Sequence, residues 1–154
     1  AGLDRSAARW VSVVPDGSLG WALITLGAPG RVAPADYGNL DAFYSNDESV
    51  EGHKSALLLA GLSGLGRIDA DARPEFGGDL KVNISRQTAW SKAITAAAQR
   101  GDKGTVALMA IAGMQAASWS SIPAFHLYHI VRALRQVGLE PEARMIAAEA
   151  VTFG

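Results

Sequence analysis

Cysteine is absent from the 154 residues. That excludes a disulfide framework and every thiolate metal site, and it leaves the compartment open between periplasm and cytoplasm. Aromatic residues are scarce, at 7%, so the core must come from small and aliphatic side chains. Neither sign of charge predominates: 14 Lys and Arg face 15 Asp and Glu, for a formal net charge of −1. A general polyanion binder carries a basic excess, so nucleic acid is not expected as a partner. A long hydrophobic run is missing as well. The longest uncharged stretch, Gly104 to Phe125, is broken by Gln115, Pro123 and several hydroxyl residues. Its apolar part falls short of the roughly 20 residues needed to span a bilayer. It reads as a buried helix followed by a turn, with no membrane span.

Alanine, by contrast, is abundant, with 28 residues. Alanine has the highest helix propensity and lets helices pack closely, so the composition predicts a soluble, all-α, single-domain chain. No secretory leader is recognisable, and residue 1 is Ala rather than Met. The opening "AGLDRSAARW" already reads as helix with Asp4 as N-cap, and the expectation is a segment of a longer, bacterial protein.

The pattern is clearest in the last third. Ser121 is a candidate N-cap, with Pro123 in the first turn of a helix reaching about Val137. Leu127, Ile130, Val131, Leu134 and Val137 recur at spacings of three and four, which makes one apolar stripe. Gly138 stands where a helix ends in a left-handed residue, and Pro141 opens the next helix. Ala143, Ile146, Ala147 and Ala150 line one face of that second helix, and the short turn makes the pair antiparallel.

Thirty-seven residues earlier the same arrangement recurs. Trp90, Ala93, Ile94 and Ala97 take the places of Leu127, Ile130, Val131 and Leu134, and Gly101 falls on Gly138. Val106, Ala110 and Gly113 fall on Ala143, Ala147 and Ala150. A large residue, apolar residues, a turn glycine and then small residues resemble the tetratricopeptide-like α-solenoid pattern in degenerate form. Trp90 stands at that family's tryptophan place and Ala143 at its alanine place. The tyrosine place holds Ala97 and Leu134, and the glycine place holds Ile94 and Val131.

Upstream, "AARWVSVVPDGSLGWALITLG" reads as helix, a turn at Pro15-Asp16-Gly17, and helix. Aligning Gly17 with Gly101 brings Ala22 and Leu26 into register but puts Arg9 on an apolar place. A short helix is expected around Asp36 to Tyr44, then an exposed acidic loop through Asp47, Glu48 and Glu51. "SALLLAGLSGL" reads as a buried helix and "GRIDADARPEFGGD" as a loop. The expected fold is therefore three to four stacked antiparallel hairpins, at about 4–28, 36–66, 86–117 and 121–152, forming a short α-solenoid.

The resemblance implies that the first helix of each unit lines a groove. The groove-facing places are then Phe125, Tyr128, Arg132 and Arg135 in the last unit, and Thr88, Ser91, Thr95 and Ala98 before it. Aromatic rings beside guanidinium groups suit an acidic or carboxylate-ended peptide, because Arg bonds carboxylates through two parallel N–H groups. The expected function is a non-catalytic protein- or peptide-binding scaffold without a cofactor.

Other candidates are weaker. His126 and His129 lie three apart and would share a helix face, but a zinc site needs a third ligand, and only His53 and Glu140 stand in reserve. "DESVE" and "GMQ" resemble two signatures of lytic transglycosylases, though Glu48 and Gly113–Gln115 stand much farther apart than in that family. The alternatives are thus an accessory helical segment of a cell-envelope hydrolase or transglycosylase, or the purely structural end of a longer solenoid. "GLSGLGRID" lacks the strand that a dinucleotide site needs in front of it. "RGD" at Arg100–Asp102 coincides with the Gly101 turn. The sequon Asn83–Ser85 has meaning only in a eukaryotic secreted protein, and Asp69 and Asp71 lack the further oxygens of a calcium loop.

Overall fold

The computed structural model describes residues 13–30, 32–116 and 118–154. Among these the chain is all-α, with one isolated parallel bridge between Ala35 and Ile68 and no strand. The α-helices are α1 (Leu19–Gly27), α2 (Tyr37–Tyr44), α3 (His53–Leu65), α4 (Ala72–Asp79), α5 (Ala89–Gln99), α6 (Lys103–Gly113), α7 (Ala124–Gln136) and α8 (Glu140–Phe153). The Asp4 cap, the first helix of the 4–28 hairpin and Arg9 lie outside the described residues.

Side-chain caps start half of these helices. Ser18 accepts from the Trp21 N–H, and Asp36 and Thr88 form reciprocal capping boxes with Asn39 and Ser91. Such caps satisfy amides that the first turn leaves without a partner. Ser121 does not cap α7. It lies in a 3-10 turn, Trp119–Ser121, where Ser118 bonds the hydroxyls of Ser120 and Ser121, and Pro123 takes the cap position without a side-chain bond. Helix α4 departs from the loop expected there. Ala72 and Phe76, one turn apart, are both buried, and Phe76 meets Tyr37 and Tyr44 edge-on at 6.1 and 6.2 Å. Pro74 sits in the first turn, where a missing N–H costs little.

The repeated turn is real at the level of single hydrogen bonds. Gly101 and Gly138 have φ of 71° and 80°, a conformation that penalises a Cβ. Asp102 N donates to Ala97 O and Gly101 N to Ala98 O, while Leu139 N donates to Leu134 O and Gly138 N to Arg135 O. All four positions shift by the same 37 residues. The α3 terminus makes the same turn, with Gly66 at φ 67° and bonds from Arg67 N to Leu62 O and Gly66 N to Ser63 O. That is 35 residues before Gly101, two fewer than the spacing between the other two turns.

Ten of the thirteen residues of α3 are buried, in line with its apolar sequence. It packs most extensively on α7 and then on α8, while the α5–α6 hairpin packs on the other side of α7. The last hairpin therefore lies between α3 and the α5–α6 hairpin, instead of following them in chain order. Gly64 makes the α3–α7 crossing close: a Cβ there would stand 2.8 Å from a Val131 methyl and 3.1 Å from the Arg132 backbone nitrogen. Leu127, Ile130, Val131 and Leu134 are at most 3% exposed. At the matching places of α5, Ile94 and Ala97 are buried, Trp90 is half-buried and Ala93 is exposed.

Candidate binding surface around helix α7

Phe125, Tyr128, Arg132 and Arg135 follow one another at spacings of three and four along α7, so the helix sets them in one row. The row is not uniformly open. Tyr128 is only 5% exposed, with its ring beneath the Arg73 guanidinium of α4, whose Cζ stands 5.0 Å from the ring centroid. Arg132 flanks the same ring at 6.0 Å and donates to its hydroxyl at 3.4 Å. Arg86, in the segment before α5, lies 5.4 Å from the Phe125 ring. Arg135 turns away and donates from Nη1 to Gly64 O at 3.5 Å, in the last turn of α3. A cation there offsets the negative end of the helix dipole, which gives Arg135 a structural task.

The earlier unit's predicted groove places are taken up internally. Thr88 and Ser91 cap α5, Thr95 donates to Ser91 O, and Ala98 is buried.

Charge pairing separates these arginines from the others. Among the described residues the ion pairs are those of Glu140 with Arg67 and Arg144. Arg73, Arg86 and Arg132 have no carboxylate at ion-pair distance there, yet they gather around two adjacent rings. Sequence reasoning missed Arg73 and Arg86, because both come from segments remote in sequence and carry no periodic signal.

The two histidines point their bonds in different directions. His126 Nδ1 donates to Gly113 O at 3.2 Å and its ring stacks on Trp90 at 4.5 Å. His129, 3% exposed, donates from Nε2 to Arg86 O at 3.0 Å, which ties the Arg86 segment to α7. Burial pulls the His129 pKa down, and the nearby Arg132 charge works in the same direction. Among the described residues no cluster of three or more His, Asp or Glu side chains could hold a metal ion.

Glu48 is exposed beside a cavity at the Pro15–Leu19 turn, while Met114 lines a different one with Trp119 and Ile146. The acidic loop instead serves α3 through Asp47. Its Oδ2 accepts from Ser55 N and Oγ at 2.8 and 2.6 Å, and its Oδ1 from Ser49 N at 2.9 Å. Partial burial pushes the Asp47 pKa up, but the bonds from Ser49 and Ser55 outweigh it and hold the carboxyl below its ordinary value. No helix of the described residues is long and apolar enough to cross a membrane. No protein-family model, curated protein or solved structure matches the chain.

Proposed function

We propose that the chain is a non-catalytic scaffold that binds an acidic or carboxylate-ended protein segment along α7. Its hairpins are read as worn tetratricopeptide-like repeats, and the recurring turns at Gly66, Gly101 and Gly138 support that reading. The observation that carries the function is the set of three guanidinium groups, Arg73, Arg86 and Arg132, against Tyr128 and Phe125 without carboxylate partners among the described residues.

A guanidinium beside a ring keeps N–H groups free at its edge and matches a carboxylate bidentately. Ring contact also restricts the side chain beforehand, so less entropy is lost when a ligand is held. With a net charge of −1 for the whole chain, this is a local feature and not a general affinity for polyanions. On this reading the binding residues are Phe125, Tyr128, Arg132, Arg73 and Arg86, with Arg135 assigned to the α3 terminus.

The test is capture from an array of acidic and neutral peptides by the parent and by an Arg73→Ala, Arg132→Ala double variant. The variant is expected to lose about tenfold or more in affinity, the order of a lost charge-assisted hydrogen bond. Parent affinity should also fall with salt, as exposed charges are screened over about 8 Å at physiological ionic strength. Arg135→Ala is expected to lower stability and spare binding. Equal capture by parent and double variant overturns the proposal.

A further inference from the structure

Helix α4 holds two glycines that its backbone does not call for. Gly77 and Gly78 do not have the positive φ that favours glycine. The left-handed position at the end of this helix is Lys81, φ 54°, closed by bonds from Val82 N to Gly77 O and Lys81 N to Gly78 O. Steric need is missing as well. A Cβ on Gly78 meets nothing within 4 Å, and one on Gly77 makes ordinary contacts of 3.5 and 3.7 Å with Val82 O and a Leu59 methyl. Glycine in a helix interior costs stability relative to alanine. What the two glycines do is leave bare one wall of a cavity of about 460 Å3, whose other walls include Leu59, Pro74, Val82 and Ile84. Arg73 lines the same cavity and also lies over Tyr128. One guanidinium thus stands at the junction of the arginine cluster and the cavity.

We infer that this cavity receives the last side chain of the ligand, and that the ligand is a peptide ending in an apolar residue with a free carboxylate. The inference rests on the binding-scaffold reading and narrows it. A terminal residue carries its carboxylate and its side chain on the same Cα, so a carboxylate held by Arg73 and Arg132 leaves that side chain beside the cavity mouth. An internal Asp or Glu has its charge farther out along its own side chain, and its neighbours in an extended chain point to the opposite face. The cavity is within the size range of small-ligand sites, with apolar groups from Leu59, Pro74, Val82 and Ile84, polar ones from Asn83 and Ser85, and Arg73 as its charged group.

The experiment is an NMR titration with N-acetylated hexapeptides: one ending in Leu with a free carboxylate, its C-terminal amide, one ending in Gly with a free carboxylate, and an amide with three internal aspartates. The Leu free acid is expected to bind about tenfold or more tighter than its amide, through the lost charge-assisted bonds. It should bind about tenfold tighter than the Gly free acid, through burial of the apolar side chain. Gly78→Leu, which adds a side chain at the cavity wall, is expected to weaken the Leu-over-Gly preference and keep that for acid over amide. Arg73→Gln should do the reverse. The peptide comparisons decide the matter on the parent chain even where a variant fails to fold.

If acid and amide bind alike while the internal-aspartate peptide still needs Arg132, this inference falls and the scaffold reading stands. If none of the four binds, both fall. A dimer of the chain that Gly78→Leu dissociates would show that a second copy fills the cavity, and would overturn the inference too.

Discussion

Replacing Arg67 by Met tests a buried charged latch between two parts of the fold. Arg67 is 7% exposed, and its guanidinium reaches across to the end of α1. Nη1 donates to Thr25 O at 2.7 Å and Leu26 O at 3.1 Å, and Nη2 to Ala28 O at 2.9 Å and Gly30 O at 3.3 Å. The last carbonyls of a helix have no partner within it, and here an arginine from beyond α3 supplies one. Glu140 stands 3.5 Å from the same group and offsets its charge, while burial pulls the Arg67 pKa down.

Methionine fills comparable volume without donating. Thr25 and Leu26 are at most 4% exposed, so their carbonyls would be left dry. Each such group costs about 1–3 kcal/mol. Against this, burying the cation itself has a desolvation cost of several kcal/mol, which the variant escapes. Breaking a buried charged network from one side generally leaves a net loss, about 3 kcal/mol here. For a chain of this size that corresponds to a drop in Tm of about 6–12 °C. Arg67→Lys should recover part of it, since one ammonium cannot span four carbonyls. Urea unfolding followed by far-UV circular dichroism gives the difference directly. If Arg67→Met lies within about 0.5 kcal/mol of the parent, desolvation cancels the bonds and the latch is not a source of stability.

Three further outcomes are expected. Gly138→Ala should cost about 1 kcal/mol because φ is 80° there, and Gly138→Val should cost more; parent-like urea midpoints for both would show that the turn tolerates a Cβ. Gly113→Ala should destabilise by about 1–3 kcal/mol, because the new Cβ would collide with the Trp90 ring, and Trp90→Leu in the same chain should relieve much of that. A double-mutant cycle with no coupling would deny that the two positions share one volume. Because burial lowers the folded pKa of His129 below 6.5, the unfolded chain takes up the proton first. Its contribution is therefore complete above pH 6.5 and lost as pH falls through the folded pKa, a window above the one in which Asp47 and Asp102 are protonated. His129→Gln, which keeps an N–H for the Arg86 carbonyl, should flatten the stability slope just below pH 6.5; an unchanged slope refutes the assignment.

What was legible in the sequence is what neighbours along the chain decide. The α7–α8 hairpin was readable because its apolar stripe ends at Gly138 and Pro141 starts the next helix. The Pro15-Asp16-Gly17 turn marked α1, Asp36 marked α2, and the run at 55–65 marked α3. Helix α4 was hidden, because Pro74, Gly77 and Gly78 read as loop while only Ala72 and Phe76 signal a buried face. The burial of Tyr128 was not legible either, since it depends on α3 and α4 lying beside α7. The third turn, at Gly66, carries its signal at 35 residues and not at 37: Leu62 falls on Ala97 and Gly66 on Gly101.

The position of α7 explains why the arginine cluster departs from the row first read from its sequence. A terminal helix in a stack has one packed side and a broad free one. Helix α7 has α3 against one side, at the Gly64–Val131 crossing, and α5 against the other, at the Trp90–His126 stack. Seven of its thirteen residues are buried, compared with four of eleven in α5. Little of its own surface remains, so apart from its own Arg132 the charge gathered at this place comes from its neighbours. Arg73 arrives from the α3–α4 side and Arg86 from the segment leading into α5, the latter tied down by His129. The cluster therefore exists only when both neighbours are docked on α7. A ligand that bridges Arg73 and Arg86 would bind the folded arrangement and not the unfolded chain, and would raise its stability by mass action.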